Sequence, residues 1–217
     1  MIRAILFDLD GLMVDSEPHS LASWCAILSS RGVTLDRKVS ERMFGLRQLE
    51  AARMLVEVYG LTDQPAALGH EKEEYQLRHL GGQIKAMPGL FELLHEIERR
   101  ELRTAVASSG ARSYVIAVLR TIGLPERFRA VVTGDDVANG KPAPDVFLAA
   151  ARAVQTDPRH CLVLEDAPAG VQAAKAAGMR CVAVPNAHTR ALDLSDADDI
   201  LPSLHAVCDA LASLVAA

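Results

Sequence analysis

The chain has 217 residues, half of them hydrophobic and 24% charged, a balance that favours a folded globular protein over a disordered one. A net charge of −5, only 4% aromatic residues and no Lys/Arg block argue against a nucleic-acid surface. No apolar run approaches the ~20 residues that cross a bilayer, so no membrane association is expected.

The first element is a short apolar strand over Ala4–Phe7, which runs straight into Asp8 and Asp10. Carboxylates this close repel each other and are costly to desolvate unless a cation or a proton serves them. From Asp15 to about Gln83 no strand is evident. Helical patterns replace it around Leu21–Ser30, Leu49–Tyr59 and Ala67–Leu80, punctuated by Gly32, Gly45, Gly60 and the Gly81-Gly82 pair. The polar stretch "HEKEEYQLRH" within this block is expected as a solvated helix face.

Beyond it, short apolar runs alternate with helical ones. Strands are expected at Thr104–Ala107, Ala130–Val132, Leu162–Leu164 and Cys181–Val184, with helices over Gly89–Arg100, Ser113–Ile122, Asp145–Val154 and Gly170–Ala177. Such runs show little alternation because strands of a parallel sheet are buried on both faces. The predicted fold is therefore α/β: a Rossmann-like parallel sheet core with a small all-helical domain inserted after the first strand. The domains are expected as residues 1–14 and 84–217 for the core and 15–83 for the insert. Cys25, Cys161, Cys181 and Cys208 lack C-x-x-C spacing, which argues against a zinc cluster or redox pair. With no secretory pattern at the N-terminus, a reducing cytoplasm is the expected location.

In open parallel sheets, ligands collect beyond the carboxyl ends of the strands. This sequence places Asp8 and Asp10 there, then Ser108, Ser109 and Gly110, then Lys141 in "TGDDVANGKPAPD", then Glu165 and Asp166. Alternate residues of an extended chain point the same way, roughly 6.5 Å apart. That gap suits one nucleophilic and one acid/base carboxylate with a phosphoryl group between them. Glu165 and Asp166 add oxygen ligands of the kind Mg2+ favours, and Ser108 and Lys141 can hold phosphoryl oxygens. Each residue also has a plainer reading. Ser108-Ser109-Gly110 and Asp166 are equally placed to cap helices, and Lys141 to lie on the surface.

Together the segments "DLDGLMVDSEP", "AVASSG", "GKPAPD" and "LEDAPAGVQAAKAAGM" resemble the four motifs of the haloacid dehalogenase superfamily along the whole chain. The subgroup most resembled is that of β-phosphoglucomutase and the related sugar-phosphate and phosphoglycolate phosphatases, which carry a helical cap where the insert lies. The resemblance implies Asp8 as nucleophile, forming an aspartyl-phosphate, and Asp10 as general acid/base. It implies Mg2+ on the Asp8 carboxylate, the Asp10 carbonyl and Asp166, with Glu165 as a ligand or a partner of one. Ser108 and Lys141 would bind the phosphoryl group, and Ser109 would bind the substrate beside them.

The mutases resembled here carry a histidine five residues after the position of Asp15. This chain has Ser20 there and His19 one place earlier. A Mg2+-dependent phosphatase acting on a small phosphate ester, a sugar phosphate or phosphoglycolate-like acid, is therefore the expected function, and a β-phosphoglucomutase the alternative. Arg47 is expected to clamp the far end of the substrate, and Glu17 to face it, although an acid there also suits a helix N-terminus. His19 is expected to be partly exposed, and Trp24 to anchor the insert. A monomer or weak dimer is expected.

Overall fold

The computed structural model describes residues 1–43, 46–81 and 84–216. Gly45, Gly82 and Gln83, named above as marks of the insert, lie outside them. Six parallel strands form one sheet: β1 (Ala4–Phe7), β2 (Arg103–Ala107), β3 (Ala130–Val132), β4 (Cys161–Glu165), β5 (Arg180–Ala183) and β6 (Asp199–Ile200). Their order is β3-β2-β1-β4-β5-β6, so β1 is central. Ile5 pairs with Thr104 on one side and Leu162 on the other.

The sheet is covered on both sides, which explains the unalternating apolar runs. Ile5 and Phe7 of β1 face one apolar cluster, and Ala4 and Leu6 face the other. Full burial of a side chain such as Phe7 contributes roughly 1.5–3 kcal/mol. The Phe7 side is closed by α5 (Leu90–Arg99), α6 (Arg112–Thr121) and α9 (Leu204–Ala216), and the Leu6 side by α7 (Asp145–Ala153) and α8 (Pro168–Ala176). Strand β6 and helix α9 go beyond the elements expected. The two residues of β6 are too few to stand out as an apolar run. In α9, Leu204, Val207, Leu211 and Leu214 make the buried face.

Between β1 and α5 lie α1 (Glu17–Ser29), α2 (Arg37–Glu41), α3 (Gln48–Tyr59) and α4 (Pro65–Arg78). They share an apolar cluster of their own, built on Trp24, Leu28, Leu55 and Leu68. The two chain segments that join this insert to the sheet pair with each other. Val14 bridges Ala86 antiparallel, Asp15 N–H donates to Lys85 O at 3.1 Å, and Met87 N–H donates to Met13 O at 2.8 Å. No helix among the described residues is long and apolar enough to cross a membrane. Cys161 and Cys181 are buried free thiols.

Candidate active site

Because the central strands run parallel and in register, the residues that follow them emerge at one level. The ladder continues past β1 and β2: Asp8 N–H donates to Leu164 O and Ser108 N–H to Val132 O, both at 3.0 Å. Asp8 is thereby brought beside Glu165 and Asp166, and oxygens of the three carboxylates lie within 4.8 Å of one another. All three residues are buried.

Lys141 meets this cluster from the loop before α7. Its Nζ donates to Asp8 Oδ1 at 2.5 Å and to Glu165 Oε1 at 2.7 Å, and it is itself buried. Lys141 is thus no surface lysine. Burial alone would strip its proton, but Asp8 and Glu165 overcome that and hold the ammonium well above its usual range. Burial pushes the Asp8 carboxyl up to about 7 against the pull of Lys141. Asp166 is raised well above the carboxylate range, by burial first and then by Glu165 and Asp8.

Glu165 Oε2 accepts the backbone N–H groups of Asp166 and Ala167 at 2.8 and 2.9 Å. The N-cap of α8 is Ala167 and that of α6 is Ala111, so neither Asp166 nor Ser108 is spent on capping. Ser108 is buried, its Oγ accepting Gly110 N–H at 3.0 Å, while Ser109 and Gly110 line the space above. Asp10 is not one of the three clustered carboxylates; its Oδ1 accepts the Tyr114 hydroxyl at 2.9 Å. Burial, then the Asp10 charge, keeps that phenol protonated.

Above these groups lies a cavity of about 140 Å³ between the strand ends and the insert. Glu17 and Ser20 of α1, and Lys72 and Gln76 of α4, line its upper half. The stretch expected to be solvated therefore turns one face inward: Lys72 and Gln76, in line with Leu68 just before the stretch, are buried at every fourth position. Lys72 Nζ lies 5.5 Å over the Trp24 ring. Burial lowers its pKa to about 8, against the pull of Asp10 and Glu17, and burial raises Glu17 to about 7.

Two further expectations are corrected. His19 is buried, not partly exposed, and its Nε2 lies 3.1 Å from Gln76 O, while Ser20 lines the cavity. Arg47 does not line the cavity. Its guanidinium donates to the carbonyls of Gly134, Val137 and Ala138 in the loop after β3, while its neighbours Leu46 and Gln48 line the cavity.

The fifth strand adds residues that sequence reasoning missed. Asn186 Nδ2 donates to Asp166 Oδ2 at 2.7 Å and to Gly11 O at 3.1 Å. Thr189, buried, accepts Asn186 N–H at 3.1 Å. The sequence signal was a polar residue following an apolar strand, in "AVPN". Gly11, at φ +85°, has no room for a Cβ, which would overlap the Asp166 carboxylate.

The donor set fits a hard divalent cation. Fully ionised, three clustered carboxylates against one ammonium would carry a net charge of −2 on oxygen, and the raised Asp8 and Asp166 carboxyls show how costly that charge is in this buried setting unless a cation compensates it.

Residues 5–184 match the family of haloacid dehalogenase-like hydrolases. The (DL)-glycerol-3-phosphatase 1, mitochondrial, of Arabidopsis thaliana is 37% identical over 210 residues, 94% of this chain and 70% of that protein. The validoxylamine A 7'-phosphate phosphatase of Streptomyces hygroscopicus subsp. limoneus is 33% identical, covering 94% of this chain and 95% of the relative. The crystal structure of CbbY from Rhodobacter sphaeroides in complex with phosphate superposes with a TM-score of 0.88 at 28% identity, over 95% of this chain and 96% of that one.

Proposed function

Since this chain belongs to the haloacid dehalogenase-like hydrolase family, we propose that it is a Mg2+-dependent phosphatase of a small phosphate ester whose tail is neutral and hydroxyl-bearing. The observation that carries this reading is the junction of Asp8, Glu165, Asp166 and Lys141 at the strand ends, with Asp10 beside them under the cavity. Residues 15–83 act as a cap over a core of residues 1–14 and 84–217.

An Asp8 carboxylate oxygen attacks phosphorus, and the bond from phosphorus to the ester oxygen breaks. Asp10 gives its proton to the departing alkoxide. Asp10, now ionised, then takes a proton from water as that water attacks the aspartyl-phosphate. The bond from phosphorus to Asp8 breaks, releasing phosphate and restoring both carboxyls. Tyr114 keeps the Asp10 carboxylate aimed throughout. Asp8, Asp166 and the Asp10 carbonyl would hold Mg2+, which when bound supplies positive charge to the phosphoryl oxygens. Lys141, Ser108 and the backbone N–H of Ser109 hold the same oxygens.

The substrate class follows from the charge of the cavity. Lys72 and Lys141 are the only cations among the described residues lining it; Lys141 is committed to Asp8 and Glu165, and Lys72 feels Asp10 and Glu17. A second phosphate or a carboxylate would meet Glu17 and Glu73 with little positive charge left to hold it. Hydroxyls suit Glu17, Lys72, Gln76 and Ser20 as donors and acceptors. One relative is named for glycerol 3-phosphate, the phosphate of a neutral polyol. The mutase reading is weakened by the same charges, because a bisphosphate must reside in the site, and by the inward placement of Ser20 where those enzymes carry a histidine.

Phosphate release from a panel of monoesters in Mg2+ tests this. Polyol and sugar monophosphates should be turned over in preference to bisphosphates and phospho-acids. Asp8→Asn should abolish release and leave the thermal transition in place; release at an unchanged rate by Asp8→Asn would remove Asp8 as nucleophile.

A further inference from the structure

Arg47 stands at the N-cap of α3 on extended backbone, with φ −63° and ψ 148°. Its N–H is held by Glu50 Oε2 at 3.2 Å. Its side chain leaves the insert and crosses to the loop between β3 and α7. There Nη2 donates to Gly134 O at 2.5 Å and Val137 O at 3.1 Å, and Nη1 donates to Ala138 O at 3.2 Å. A guanidinium offers five donors in a fixed fork, which suits carbonyls presented from one curved loop; an ammonium is a single point.

The stem of Arg47 passes over Gly140 in the space a Cβ would occupy, where that atom would overlap Cδ and lie 2.6 Å from Cγ. The next residue is Lys141, whose ammonium reaches Asp8 and Glu165. The same loop is tied to α6 as well. Asp135 accepts Arg112 N–H at 2.8 Å, and Asp136 accepts the Arg112 guanidinium at 2.6 Å. A second crossing from the insert joins Glu73 of α4 to Ser113 of α6.

We propose that Arg47 is a positioning residue that docks the helical insert onto the 134–140 loop, so that covering the cavity and setting Lys141 against Asp8 are a single event. The role of Lys141 in this statement rests on the phosphatase reading; the docking itself does not. A closed insert with an undocked loop would leave the ammonium free to shift. A misplacement of about 1 Å at a reacting group costs on the order of 10²-fold in rate.

A double-mutant cycle on Arg47→Ala and Gly140→Ala tests it, with phosphate release measured on one good ester and amide hydrogen exchange measured over residues 134–140. Each single variant should lower kcat at least tenfold with KM changed less than threefold, and should speed exchange in the loop. Gly140→Ala made on top of Arg47→Ala should cost nothing further, because the stem it obstructs is gone. Arg47→Lys, which keeps charge and bulk, should resemble Arg47→Ala and guards against a folding artefact. Independent, additive losses would overturn the proposal. So would a rise in KM with kcat intact, the mark of an arginine that grips substrate. If the wild-type protein releases no phosphate from any ester, the phosphatase reading fails, and exchange alone decides the docking: unchanged protection of the loop in Arg47→Ala overturns it.

Discussion

The Glu165 carboxylate occupies the space that a Cβ on Gly170 would fill. Helix α8 can therefore pass close to the end of β4, and Glu165 is pressed toward Lys141 and the two N–H groups it accepts. Gly170→Ala should gain up to about 1 kcal/mol of helix propensity and lose about 1–3 kcal/mol to overpacking. Stability is then a blunt readout and activity the sharp one. We expect kcat to fall roughly 10²-fold, as for other small displacements of a charged catalytic group. Steady-state phosphate release checks this, and an unchanged kcat would show that Glu165 has freedom the packing denies it.

Asp166 should control the demand for metal. Phosphate release should vanish on chelation and return with Mg2+. Asp166→Asn should raise the half-saturating Mg2+ concentration by tenfold or more, since an oxygen ligand and a negative charge both go. Asn186→Ala, which removes the amide holding Asp166 Oδ2, should shift it in the same direction by less. Titration of activity against Mg2+ separates the three proteins. Equal titration curves for wild type and Asp166→Asn would place the ion elsewhere.

Lys72 should impose an alkaline limit on substrate binding. Burial brings its pKa to about 8, so the ammonium is present below that pH and lost above it. KM for a polyol monophosphate should rise as pH passes about 8. Lys72→Met should raise KM at neutral pH about tenfold, as loss of a charged hydrogen-bond donor does, and should remove the alkaline rise. A rise that persists in Lys72→Met belongs to another group.

Within the insert, Arg31 joins Asp63 and Glu71, each at 2.6 Å. The hydrogen bond from Arg31 holds the Asp63 carboxyl below its ordinary 3.8. A carboxylate whose folded pKa is depressed stabilises above its unfolded pKa and loses that stabilisation as pH falls through the folded one. The pair should therefore support the fold from about pH 4 upward and fade below it. The groups are partly exposed, so Asp63→Asn should cost at most about 1 kcal/mol at pH 7, a Tm drop of about 2–4 °C. The gap between variant and wild type should narrow as pH falls below about 4. A constant gap would assign the loss to packing.

The floor of the site was legible in the sequence because a carboxylate straight after an apolar strand is conspicuous, and parallel strands deliver such residues to one edge. The roof was not. Lys72 and Gln76 lie in the most polar stretch of the insert, and what covers them comes from α1 and the strand ends, across breaks in the chain that no periodicity reports. Arg47 shows the same limit: spacing places its Cα near the site, but only the fold decides whether the side chain turns to the cavity or to the carbonyls of Gly134 and Val137. Gly170 reads in sequence as one small helix residue, and its contact with Glu165 exists only once β4 and α8 pack.

The pairing of Val14 with Ala86, flanked by the bonds at Asp15 and Met87, means that the chain departs from the sheet and returns to it through a single narrow neck. A neck of that kind acts as a seam. Whatever is sewn between residues 15 and 85 can be exchanged for another fabric while the weave beneath stays whole, and new substrates then arise by tailoring one patch, so long as the new cloth keeps a stitch like that of Arg47 to the loop before Lys141.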